Sequence, residues 1–131
     1  MKTIRKDVYK LIFDQYSVEP EFPWADAPDA CVFRHYDNRK WFAIIMTVRN
    51  KSLGIEEEGY QDVINVKINP TEIYDLLQIP GILPAYHMNK KHWITVLLDG
   101  SINQKAILKL LDYSYSVTKK HLKTRLAKEK H

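Results

Sequence analysis

Two periods of apolar residues run through this chain. Residues 3–16 set Ile4, Val8, Leu11 and Ile12 on one stripe at helical spacing, with Lys2, Arg5, Lys6 and Lys10 largely elsewhere, which predicts a surface helix packed on a core. Pro20, Pro23 and Pro28 make residues 19–28 an extended connection. Residues 31–36 and 40–49 read as strands, and Asp37, Asn38 and Arg39 between them supply hairpin-turn chemistry. Gly54, Gly59 and the acidic run Glu56, Glu57, Glu58 mark residues 51–61 as a solvated loop. Residues 62–68 alternate, with Ile64, Val66 and Ile68 on one face and Val63, Asn65 and Lys67 on the other. A short helix is predicted from Pro70, because Asn69 is a good N-cap, and Pro80 and Gly81 end it. Residues 82–88 and 93–98 predict a second hairpin, closed by Asp99 and Gly100. Ser101 with Gln104 has the capping-box spacing and opens a longer helix, with Ile107, Leu110, Leu111, Ser114 and Val117 facing inward. The tail is expected to continue that helix and then fray.

The order helix, three strands, helix, two strands, helix predicts an α+β domain of two layers, an antiparallel sheet with helices on one side. Residues 1–118 are read as one domain, followed by the extension 119–131. Strand parity assigns Phe42, Ile44, Met46 and Val48 inward and Trp41, Ala43, Ile45 and Thr47 outward. In the last strand Ile94, Val96 and Leu98 point inward, leaving Trp93, Thr95 and Leu97 outside. With Asn65 and Lys67 this makes an outer face of two tryptophans, an amide and a lysine, bordered by Lys40, Lys90 and Lys91. Rings among cations suit nucleic-acid strands. Ile45 and Leu97 on the same face suit packing or dimerisation instead.

Charge sharpens the question. The formal net charge is +4, but residues 119–131 hold six Lys or Arg against one acid, which leaves residues 1–118 at −1. Binding of a polyanion by the folded body must therefore rest on local patches. The densest patch is residues 84–93, Pro-Ala-Tyr-His-Met-Asn-Lys-Lys-His-Trp. His87, Asn89, Lys90, Lys91, His92 and Trp93 there combine phosphate-neutralising, hydrogen-bonding and stacking groups. A hairpin turn facing water would be polar and basic as well.

Other chemistry finds little support. His87 and His92 are five apart across a turn, rather than the four that align two histidines on a helix, and no Cys or acidic cluster completes a metal set. Gly81 is followed by Ile82, Leu83 and Pro84, which is no phosphate loop. Spacing brings no nucleophile to a base, so the chain is read as a non-enzyme without metal, cofactor or small-molecule substrate. Cys31 lies beside Val32 and Phe33 and reads as a buried structural thiol. No run is long and apolar enough to cross a bilayer, and residues 1–10 lack a signal-peptide core, so a cytoplasmic protein is expected.

The stretches Phe22-Pro23-Trp24, residues 32–43 (Val-Phe-Arg-His-Tyr-Asp-Asn-Arg-Lys-Trp-Phe-Ala), residues 65–70 (Asn-Val-Lys-Ile-Asn-Pro) and residues 81–93 (Gly-Ile-Leu-Pro-Ala-Tyr-His-Met-Asn-Lys-Lys-His-Trp) together resemble the MmcQ/YjbR-like family. The likeness spans residues 22–115, and residues 86–93 are its most specific part. It implies a small bacterial cytoplasmic protein whose fold is related in shape to type III secretion chaperones and, more loosely, to frataxin. It also implies DNA binding through an arrangement called a double wing. On matching positions this points to Arg39, Lys40 and Trp41 in one hairpin, to His87, Asn89, Lys90, Lys91 and His92 in the other, and to Lys67 between them. The expectation is a non-enzymatic DNA-binding protein, directed to the phosphate backbone with little sequence specificity and assisted by the tail. The alternative is a protein-interaction or chaperone-like module that pairs with itself as a homodimer, or with a client, through the sheet face.

Overall fold

The computed structural model describes residues 5–119. The elements are α1 (Arg5–Tyr16), β1 (Cys31–Arg34), β2 (Trp41–Arg49), a 3-10 turn (Asn50–Leu53), β3 (Tyr60–Lys67), α2 (Pro70–Leu76), β4 (Ile82–Pro84), β5 (Trp93–Leu97) and α3 (Gln104–Thr118). The strands form one antiparallel sheet in the order β1-β2-β3-β5-β4. All three helices cover one face: Val8 and Ile12 of α1, Ile73 of α2 and Ile107 and Leu111 of α3 share a core with Cys31, Phe33, Ala43, Ile45, Ile64, Val66, Ile94 and Val96. Ile4 lies outside the described residues. No helix among the described residues is long and apolar enough to cross a membrane.

Local chemistry sets the helix ends. Asn69 Oδ1 accepts from the Thr71 amide at 3.0 Å and opens α2, as predicted. The cap of α3 is Asn103 rather than Ser101: Asn103 Oδ1 accepts from the Ala106 amide at 2.8 Å. Ser101 belongs to the preceding turn, its amide donating to Asp99 Oδ1 at 2.9 Å. Gly81 adopts φ +101, and a Cβ there would lie 2.7 Å from the Ser101 Cβ, so the chain leaving α2 passes too close to this turn for a side chain. α3 stops at Thr118, with Lys119 extended at φ −72 and ψ 160, so the expected continuation of the helix into the tail fails at its first residue. The remainder of that expectation lies outside the described residues.

The predicted parity of β2 is reversed over most of its length. Ala43 and Ile45 face the helices, while Ile44 and Met46 pack on the opposite side with Trp41, and Val48 lies in a neighbouring cluster there. Phe42 nevertheless faces the helices as predicted, because the register against β1 slips between Phe33 paired with Ala43 and Arg34 paired with Trp41. Phe42 is the extra residue of this β-bulge, and the break in alternation returns Trp41 to the far side. The far face is itself a core. Val32, Ile44, Ala85 and Trp93 cluster with Trp24, Trp41 and Met88, and Val48, Val63 and Leu97 with Leu53, Ile55, Leu83 and Tyr86.

Candidate nucleic-acid interface

Direction alternates from strand to strand in an antiparallel sheet, so the end of β1, the start of β2, the end of β3 and the start of β5 lie together. This brings three sequence-distant cationic positions to one end of the molecule: Arg39 and Lys40 in the β1–β2 turn, Lys67 at the end of β3, and Lys90 and Lys91 just before β5. Lys67 is directly opposite Trp93 in the ladder. The last turn of α3 reaches the same end, where Asn38 Nδ2 donates to the Thr118 carbonyl at 2.9 Å.

The first turn is tightly specified. The His35 amide donates to the Lys40 carbonyl at 3.0 Å and the Arg39 amide to the His35 carbonyl at 3.1 Å. Asn38 Oδ1 accepts from the Lys40 amide at 2.9 Å. Arg39 sits at φ 66, where a side chain is disfavoured. Beneath it His35 is buried, its Nε2 2.8 Å from Thr118 Oγ1. Because that hydroxyl donates to the Ser114 carbonyl, it accepts from the imidazole. Burial lowers the His35 pKa, so at neutral pH this ring anchors the turn without adding charge.

The second turn hangs on two buried polar side chains in the far-side core. Asn65 and Thr95 are fully buried and opposite each other in β3 and β5. Asn65 Nδ2 donates to the Tyr86 carbonyl at 2.9 Å, Thr95 Oγ1 donates to Asn65 Oδ1 at 2.5 Å, and the Tyr86 amide donates to Thr95 Oγ1 at 2.8 Å. Both backbone polar groups of Tyr86 are thereby held from below, which suits a polar pair otherwise costly to bury. Ala85 and Met88 press on the Trp93 cluster, and residues 89–92 are exposed, with Lys90 lining a cavity beside Ser52, Leu53 and residues 83–86. Asn89 closes that turn, its carbonyl accepting from the amides of His92 and Trp93 and its Oδ1 from the Lys91 amide at 2.8 Å.

Arg39, Lys40, His87, Asn89, Lys90, Lys91 and His92 are exposed and Lys67 is half-buried. Among the described residues the ion pairs are Arg5 with Asp62, Lys10 with Asp14 and Arg34 with Glu21, so none engages these cations. Glu21 is held below the usual carboxylate range chiefly by its bond to Arg34, and Arg39 adds to that field. Asp37 sits in the first turn, with its carboxylate on the Asn38 amide.

The stacking face expected from the sequence is absent. Trp93 is 9 % exposed, Leu97 7 % and Asn65 0 %. Trp41 is half-buried, meeting Trp24 edge to face at 5.8 Å. Residues 50–55 and 83–88 fold over this side, so the sheet face invoked for dimerisation or client binding is occupied from within the chain. Asn65 is a support for the turn rather than a contact, and Asn89 spends its side-chain oxygen inside the turn. The roles of His35 and Thr95 were not read from the sequence; both sit in apolar strand patterns that carry no signal of their partners.

A family profile described as YjbR matches residues 14–117. The chain belongs to the YjbR family. Among its relatives the uncharacterized protein YyaQ of Bacillus subtilis (strain 168) is 37% identical over 116 residues, covering 88% of this chain and 98% of YyaQ. The uncharacterized protein YjbR of Escherichia coli (strain K12) is 38% identical over 63 residues, 47% of this chain and 52% of that protein. A crystal structure of a Pseudomonas syringae protein superposes with a TM-score of 0.87 at 41% identity, covering 88% of this chain and 99% of the other. The Deinococcus radiodurans protein DR2400 superposes at 0.68 with 27% identity, covering 91% and 81%. This YjbR-family fold thus carries its paired turns at one end of the sheet. Among its described residues no group of three or more His, Cys, Asp or Glu is placed to hold a metal ion.

Proposed function

We propose that this YjbR-family protein binds DNA through the turn-bearing end of its sheet, contacting phosphates with little regard to sequence and without catalysis. The supporting observation is the convergence of Arg39, Lys40, Lys67, Lys90 and Lys91 on one end with no carboxylate paired to them among the described residues. Cations on neighbouring turns release counterions from a phosphate backbone, and this term carries no sequence information. Thr118, at the end of α3, accepts from Asn38 of the first turn, and residues 119–131 of the sequence hold six Lys or Arg.

Anisotropy titration of a labelled mixed-sequence DNA at several salt concentrations tests this reading. Affinity should fall steeply with salt, and Lys90→Ala with Lys91→Ala should make the double-logarithmic slope shallower by about 2 on a duplex. A parent protein whose binding is lost only on deletion of residues 119–131, with the double-alanine variant unchanged, refutes the folded body as the binding surface.

A further inference from the structure

The same geometry points to the strandedness of the partner. Resting on the DNA-binding reading, we infer that the turn-bearing end takes duplex in preference to single-stranded DNA. Proteins that hold single strands rely on aromatic planes for successive bases to stack on, each worth about 1–3 kcal/mol. Here the indoles are withdrawn. Trp93 is 9 % exposed beneath residues 85–88, and Trp41 turns its ring edge to face with Trp24. The amide best placed to read a base edge, Asn89, has its oxygen committed to the Lys91 amide. Of the rings left exposed at this end, Tyr36 is pinned by its hydroxyl to the Ser17 carbonyl at 2.9 Å, His87 leans on Tyr86 with centroids 4.0 Å apart, and His92 offers one imidazole on a backbone fixed by the Asn89 carbonyl and the Ile68 amide. What remains is a set of cations.

Their layout suits two backbones. Arg39 and Lys40 precede β2, and Lys90 and Lys91 precede β5, with β3 between those strands. Two strand spacings separate the banks by about 10 Å. Exposed Lys and Arg side chains can spread that span to the major-groove width of about 12 Å, so each bank can meet one backbone across that groove. Lys67 ends the intervening strand β3, opposite Trp93 at the start of β5. Duplex DNA also presents the denser phosphate charge to a site that offers charge alone.

The test uses the full chain with a mixed-sequence duplex of about 20 base pairs and each of its separated strands, all at one salt concentration. The duplex should bind at least about tenfold more tightly than either strand. Tryptophan emission should stay unchanged on adding the strands, because Trp93 is buried and Trp41 and Trp24 pack on each other. Strands that bind as tightly as the duplex, or that quench the tryptophans, overturn the inference while leaving DNA binding standing. Absence of binding to duplex and strands alike at low salt refutes the DNA reading itself, and this inference with it.

Discussion

The two ends of the sheet handle charge in opposite ways. At the end formed by the β2–β3 connection, acids dominate, with Glu56, Glu57, Glu58, Asp62 and Asp99 against Arg5, Arg49 and Lys51. Much of that charge is already answered. Arg5 reaches Asp62 and Thr47 at 3.1 and 3.0 Å, Asp29 accepts from the Thr47 amide at 3.1 Å, and Arg49 and Lys51 line a cavity with the three glutamates. At the turn-bearing end Arg34 is paired with Glu21, but Arg39, Lys40, Lys67, Lys90 and Lys91 stand without ion pairs among the described residues. Residues 1–118 have a formal charge of −1, which conceals this polarity. β3 alone, with 8 residues, separates the ends by about 26 Å, against a screening length of about 8 Å at physiological ionic strength. Near-neutrality of the whole therefore says little about either end.

Removing the cations is the strongest attack on that contrast. Changing Arg39, Lys40, Lys90 and Lys91 together to Ala should make the duplex salt slope shallower by about 3–4. The melting temperature should move by less than about 10 °C, since exposed substitutions cost at most about 0.5 kcal/mol each, about 2 kcal/mol in all. Unaltered binding would show that the turns are only solvated loops. Asn65→Ala should act from below: the Tyr86 carbonyl and Thr95 hydroxyl lose their partner, costing about 2–4 kcal/mol in urea denaturation. Affinity should also drop as residues 85–92 lose their seat, while a fully stable variant would argue against the clamp.

A smaller effect is expected from pH. Burial depresses the His35 pKa below the free value of 6.5, so the unfolded chain takes up that proton first. The stabilisation is complete above about pH 6.5 and is lost as pH falls through the folded value. Asp37, Lys40 and Lys119 also act on this ring. The parent should therefore lose more melting temperature than His35→Gln between about pH 7.5 and 5.5; equal losses would remove His35 from the junction. Least of all should follow from Glu56→Gln, Glu57→Gln and Glu58→Gln combined, which at physiological salt should alter DNA affinity by less than about twofold. A tenfold gain would mean that the two ends are not independent.

Most of the architecture is legible in the chain because each element carries its own signal: the α1 stripe, the Asn69-Pro70 start and the Asp37-Asn38 turn. The phase of β2 is not. With Ala43 and Ile45 against the helices and Ile44 and Met46 against the loops, both sides of this strand are apolar, and alternation loses its meaning. The exposed cations could be read because turns face water. The fate of the tryptophans could not, because Trp24, Ala85 and Met88, which pack with Trp41 and Trp93, stand in segments with no periodic pattern that announces a packing partner. Asn65 was misjudged for a related reason: an amide in a strand looks the same whether it meets solvent or a backbone carbonyl on a folded-over segment.

The single surplus residue at Phe42 aims the first cationic bank. Without that slip, strict pleating over the same residues would turn Phe42 toward the loops and Trp41 toward the helical layer. Arg39 and Lys40, which lead into Trp41, would then enter the strand half a pleat turned. One surplus residue thus lets Phe42 stay beneath the helices while its neighbour Trp41 joins Val32, Ile44 and Trp93 on the other side.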